Sequence, residues 1–181
     1  MKIGIIIFAL AFSFELPAAN TNEERQDPRL PIAEDVISAF YTWDSKVLAQ
    51  AIVAGPDRDR MLYYQGWAQA ANYAIQTRTP CFTDSTDAVI CRVTVTDDFG
   101  RILGYTATDT FTFSIIDEAV VALSSEGDDP PIFWDLIAWI TETRPEVMDG
   151  PCQKYFSGGT TPGACAKAVV ESARIFRDLS R

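Results

Sequence analysis

Between residues 105 and 115 the chain alternates strictly. Thr106, Thr108, Thr110, Thr112 and Ser114 fall on one side, and Tyr105, Ala107, Asp109, Phe111, Phe113 and Ile115 on the other. Successive side chains of a strand point to opposite faces, so this period of two predicts a strand with one hydroxyl face and one apolar face. The sequence around it supplies neighbours for such a strand. From Ile75 the texture turns toward β-branched residues, and 75–82 and 88–96 read as two strands joined by the polar loop 83–87. Asp97-Asp98-Phe99-Gly100-Arg101 reads as a turn, and a further strand over residues 119–124 follows the turn at Asp117-Glu118.

The four cysteines add a constraint on register. A hairpin centred on Thr86 sets Cys81 directly opposite Cys91. Cross-strand partners have Cβ atoms about 4.5–5.5 Å apart, close enough for a disulfide after small adjustment. Closing so short a loop is worth about 2–3 kcal/mol. Three pairings of four cysteines are formally possible; the geometry favours Cys81–Cys91, which leaves Cys152–Cys165. There is no CxxC spacing and no His anywhere in the chain, which argues against a zinc site.

Helical spacing flanks the sheet region on both sides. Ile32, Val36, Ile37, Phe40 and Tyr41 predict a helix over residues 32–41, and Val47, Leu48, Ala51 and Ile52 a short second one. A third, capped by Asp57 or Asp59, runs through Met61, Tyr64, Trp67 and Ala71 to Asn72. After the sheet, residues 132–142 predict a helix, and Pro145, Gly150 and Pro151 break the chain beyond it. The last helix starts at Thr161-Pro162 and runs to Leu179, its first turn tied by Cys165 to the loop carrying Cys152. The expectation is one α+β domain over residues 32–181, with 149–181 as a disulfide-tied helical extension.

The N-terminus reads differently. Lys2, the apolar run 3–14 and the small residues ending at Ala19 predict a secretory signal peptide over residues 1–19, cut near residue 19. Residues 20–31 then form a loose leader. The apolar run is well short of the roughly 20 residues a bilayer span needs, so stable membrane insertion is not expected. Secretion or a periplasmic location makes disulfides the natural state of an even set of cysteines. The formal net charge is −10, and no Lys/Arg cluster stands out among the 181 residues. That combination argues against nucleic acid and anionic membranes as partners.

Residues 91–104, reading Cys-Arg-Val-Thr-Val-Thr-Asp-Asp-Phe-Gly-Arg-Ile-Leu-Gly, and the strand Phe111-Thr112-Phe113-Ser114-Ile115 resemble the sheet core of exported members of the nuclear transport factor 2-like superfamily. Trp139-Ile140, Arg144-Pro145-Glu146 and the Thr161-Pro162 helix start are similar as well. The resemblance spans residues 32–180. It implies a cone-shaped fold, with a curved antiparallel sheet of about four strands wrapped against N-terminal helices around a pocket. Relatives include ketosteroid isomerase, scytalone dehydratase, limonene epoxide hydrolase and SnoaL-like cyclases, alongside plain binding and dimerisation modules. One fold carries many functions, so the residues must argue for the site.

The missing His removes the His-Asp dyads of the dehydratases and cyclases. An epoxide-hydrolase arrangement needs Arg-x-Asp on a strand, and Arg92-Val93-Thr94 has Thr in the carboxylate position. Asp109 is the sharp candidate, because alternation places its carboxylate among Tyr105, Phe111 and Phe113. Lost hydration raises such a pKa toward the range of a general base or acid, and Tyr63, Tyr64 or Tyr73 could supply the partner hydroxyl. The competing reading pairs Asp109 with Arg78, Arg92 or Arg101. Trp43, Tyr64 and Trp67 are candidates for a pocket mouth, with Phe40, Tyr105, Phe111 and Phe113 as lining. Asp97-Asp98 and Asp128-Asp129 lack a calcium loop, and residues 158–163 lack the Lys of a phosphate loop. No metal and no cofactor is expected. The functional expectation is an exported protein that holds a small apolar or aromatic molecule. Its alternatives are a His-independent isomerase or lyase built on Asp109 and Tyr64, and a module that homodimerises through the Thr-rich face.

Overall fold

The computed structural model describes residues 27–154 and 162–179. The predicted signal peptide, most of the leader, Thr161 and the glycine-rich stretch up to it lie outside the described residues. Three helices come first: α1 (Arg29–Tyr41), α2 (Ser45–Ala51) and α3 (Pro56–Ala70). The sheet is built from β1 (Ala74–Arg78), β2 (Phe82–Thr83), β3 (Val89–Thr96), β4 (Ala107–Ile116) and β5 (Ala119–Gly127), with α4 (Asp98–Leu103) between β3 and β4. Helices α5 (Pro131–Thr143), α6 (Pro145–Asp149) and α7 (Pro162–Leu179) complete the chain. Among the described residues no helix is long and apolar enough to cross a membrane.

The fold is α+β, with an open antiparallel sheet of order β1-β3-β4-β5 and the short β2 also on β3. The alternation in β4 becomes a burial pattern. Ala107, Asp109, Phe111, Phe113 and Ile115 are buried, whereas their hydroxyl neighbours are more exposed. Their face joins Val89, Cys91, Val93 and Val95 of β3 and packs against Val36, Ile37 and Phe40 of α1. A second core gathers Trp67 and Ala71 with Phe99, Phe133, Leu136, Ile140, Val169 and Val170. Helix α3 serves both, giving Met61 and Ala68 to the first and Trp67 to the second.

The expected hairpin register holds at its cysteine end. Phe82 pairs with Ile90 and Thr83 with Val89, and the Cys81–Cys91 disulfide closes with Cα atoms 4.3 Å apart. Cys152–Cys165 ties α7 to the preceding loop. The predicted strand 75–82 is two strands rather than one, because Thr79-Pro80 breaks the ladder, and within β1 the register on β3 shifts between Ile75 and Thr77.

Four further expectations need correcting. The leader does not extend to residue 31, because α1 begins at Arg29. The Arg29 guanidinium binds Asp27 and Asp87, each at 2.7 Å, and Asp27 accepts from the Thr83 hydroxyl, stitching the helix start to the sheet. Neither Asp57 nor Asp59 caps α3. Its N-cap is Gly55, and Asp57 instead accepts from the Leu123 amide of β5 at 3.0 Å. The predicted turn at residues 97–101 is the helix α4. Asp97 caps it by accepting from the Gly100 amide, and Gly104 ends it at φ 84°. Gly100 is needed for close approach rather than for a turn, since a Cβ there would lie 2.9 Å from the Tyr105 carbonyl oxygen. Finally, the stretch after α5 contains the short helix α6, opened by Pro145.

Candidate functional site

Asp109 is the third residue of β4, with Val93 opposite it on β3 and Gly127 opposite it on β5. It is 3% exposed. Its two oxygens accept from two phenols. Tyr41, the last residue of α1, donates to Oδ2 at 2.6 Å, and Tyr64 of α3 donates to Oδ1 at 2.6 Å. The carboxylate thus joins two helices to the middle of the sheet. Burial is the main influence on Asp109 and pushes its pKa up to about 6, against the lowering effect of the two hydroxyls. Burial and the nearby Asp109 charge raise both tyrosines well above the ordinary phenol range.

Beside Asp109 lies a cavity of about 270 Å³. Tyr63, Tyr64 and Trp67 of α3, with Tyr73 and Phe133, form aromatic walls. Val95, Ala107, Ser125 and Gly127 contribute the sheet side, and the charged groups are Asp109, Asp129 and Arg60. Asp129 lies just beyond β5, and burial together with the Asp128 charge raises its pKa to about 6. Arg60 is already engaged, with Asp57 at 2.8 Å and the Leu123 carbonyl at 2.9 Å. The Tyr63 hydroxyl is buried without a hydrogen-bond partner among the described residues.

Among the described residues Asp109 pairs with no arginine. Arg78 binds Glu34, Arg92 sits 5.5 Å above the Phe82 ring, and Arg101 binds Asp98. Of the expected lining, Tyr64 and Trp67 do reach the cavity, as do the candidate donors Tyr63 and Tyr73. Phe40, Phe111 and Phe113 do not line it. They fill the first core, where Phe40 meets Phe111 at 5.5 Å and Tyr64 at 5.1 Å between ring centroids. Trp43 lies at the margin of that core, 6.5 Å from the Tyr41 ring, and Tyr105 packs against the second core. Sequence reasoning missed Tyr41 and Asp129. Tyr41 falls on the apolar stripe of its helix, and Asp129 sits in an acidic run that reads as a solvated loop.

This arrangement offers a ligand apolar walls, two carboxyl groups able to exchange protons near neutral pH, and the unpartnered Tyr63 hydroxyl. Among the described residues no group of three or more His, Cys, Asp or Glu side chains could hold a metal ion. Compared with known proteins, the chain matches no protein-family model, no curated protein and no solved structure.

Proposed function

We propose that this is an exported small-molecule-binding protein, holding a ligand with an apolar or aromatic body in the cavity between α3, the sheet and α5. The observation that carries the reading is the cavity itself, walled by five aromatic side chains of the described residues and lined by a few polar groups. Concave, mostly apolar sites of that make-up are where small molecules bind. Export is supported by two disulfides that span short loops. The likeness to the nuclear transport factor 2-like cone is supported by the order of elements, three helices before an antiparallel sheet whose inner face meets them. The isomerase reading is weaker for a specific reason. A base and an oxyanion donor must both be free to meet substrate, whereas Tyr64 and Asp109 here bind each other and Tyr41 takes the second oxygen.

Ser125 of β5 lines the cavity and is only partly buried, so a larger side chain there fills the space with little disturbance to either core. Indole is a suitable probe for calorimetry. It should bind the wild type saturably, and Ser125→Trp should weaken it by about tenfold or more, the equivalent of 1.4 kcal/mol, with the melting temperature preserved. Equal affinity in both proteins, or none in the wild type, overturns the reading.

A further inference from the structure

We propose that the ligand of this cavity is a small organic cation, a protonated amine on an apolar body, its ammonium set between Asp109 and Asp129 and its body against Tyr63, Tyr64, Trp67 and Tyr73. The inference rests on the cavity being a ligand site and names the class of ligand. Among the described residues three charged side chains line the space, and the single cation of the three, Arg60, is already neutralised by Asp57. The uncompensated charge is therefore negative. No Lys or Arg pairs with either carboxylate among the described residues, and the donors to Asp109 are neutral phenols. Each carboxylate oxygen has two lone pairs, so Asp109 can accept from an ammonium while keeping both tyrosines.

Gly127 shows where the two acids converge. A Cβ built on it would lie 3.1 Å from Asp129 Oδ2 and 3.7 Å from Asp109 Oδ1, so both carboxylates reach the same point beside the glycine. The absent side chain leaves that point open to a ligand atom. A cation there meets opposite charge on two sides and aromatic faces around it, which attract ammonium groups in their own right. An anionic ligand would meet two like charges, a repulsion that excludes it. The buried Tyr63 hydroxyl offers a further acceptor for an N–H. The raised pKa of Asp109 has the charge of Asp129 among its causes, a repulsion that a bound cation relieves.

Tryptamine, indole-3-ethanol and indole-3-acetate share one aromatic body and differ in charge, so calorimetry with the three isolates the charge preference. Tryptamine should bind about tenfold or more tighter than the alcohol, and the acid should bind most weakly. Asp129→Asn, on a partly exposed loop, should narrow the preference of amine over alcohol. Gly127→Ala, which places a methyl at the point of convergence, should weaken the amine in the same direction. If the alcohol or the acid binds as tightly as the amine, the cation assignment is overturned while the cavity remains a ligand site. If none of the three binds, both readings fall.

Discussion

Lowering the pH from about 7.5 to about 5 should stabilise this protein, by about 2–5 kcal/mol, which for a chain of this size raises the melting midpoint by roughly 5–15 °C. Three buried or half-buried acids carry the effect. Burial raises Asp97 to about 7, and Asp109 and Asp129 to about 6, from an ordinary 3.8. In the window between those values the folded protein holds protons that the unfolded chain has released. Stability from these groups is complete below about pH 4 and is lost as pH rises through about 6 to 7. A tenfold change in a group's acidity on folding corresponds to about 1.4 kcal/mol, so the formal sum over this window is about 5 kcal/mol, and the range extends below it because Asp129 is partly solvated. Acids held low in the folded protein do not cancel the effect in this window. Asp27 is held low by Arg29 and Asp84 by the Thr86 hydroxyl, so their contributions fade only below about pH 4. Asp97→Asn isolates the largest contributor. Asn caps a helix as well as Asp, so the variant should melt higher than wild type at neutral pH and show a flatter pH profile. A midpoint that falls between neutral pH and pH 5 would contradict the account.

Replacing both phenols, Tyr41→Phe with Tyr64→Phe, should destabilise the protein by about 3–5 kcal/mol at neutral pH. Phenylalanine keeps the ring and its packing, so the loss isolates two hydroxyls. Each donates at 2.6 Å to a carboxylate that is 3% exposed. Without them the charged form of Asp109 has no donor from either helix, and protonation of the carboxyl limits the penalty. The loss should therefore shrink at about pH 5, where Asp109 is neutral in either protein. Urea titrations of the wild type, both single variants and the double variant at two pH values measure this. A loss that is the same at both pH values would mean the hydroxyls act through packing, not through the carboxylate.

The sheet was largely readable from particular residues. The alternation over residues 105–115 determined which side chains of β4 are buried, Asp109 included, and the hairpin centred on Thr86 identified the partner of Cys81. Helix α4 was not read, because its only sequence signals are a cap at Asp97 and a stop at Gly104 around a segment short enough to pass for a turn. The site was half readable. Asp109 and Tyr64 emerge from local periodicity, but their contact depends on how α3 lies over the sheet, which no local pattern encodes. The convergence of Asp109 with Gly127 and Asp129 is hidden for a different reason. Counting back from the Asp117-Glu118 turn misaligns β4 and β5 by one residue, because a bulge between Ser114 and Ile115 shifts the register. The aromatic lining was over-assigned for a physical reason too: alternation places Phe111 and Phe113 on the same face as Asp109, but helix α1 covers that end of the sheet and leaves them in the core.

The four tryptophans give the most direct test that the cavity is a ligand site. Only Trp67 lines it, while Trp43 lies at the edge of the first core and Trp134 and Trp139 are on α5. Their indole N–H signals can be followed by nuclear magnetic resonance, assigned by Trp→Phe variants, as tryptamine or indole is added. The account predicts that the Trp67 signal shifts most and saturates along with the backbone amides of Asp109, Ser125 and Gly127. Saturable shifts centred on Trp43, Trp134 or Trp139, with Trp67 unmoved, would contradict it.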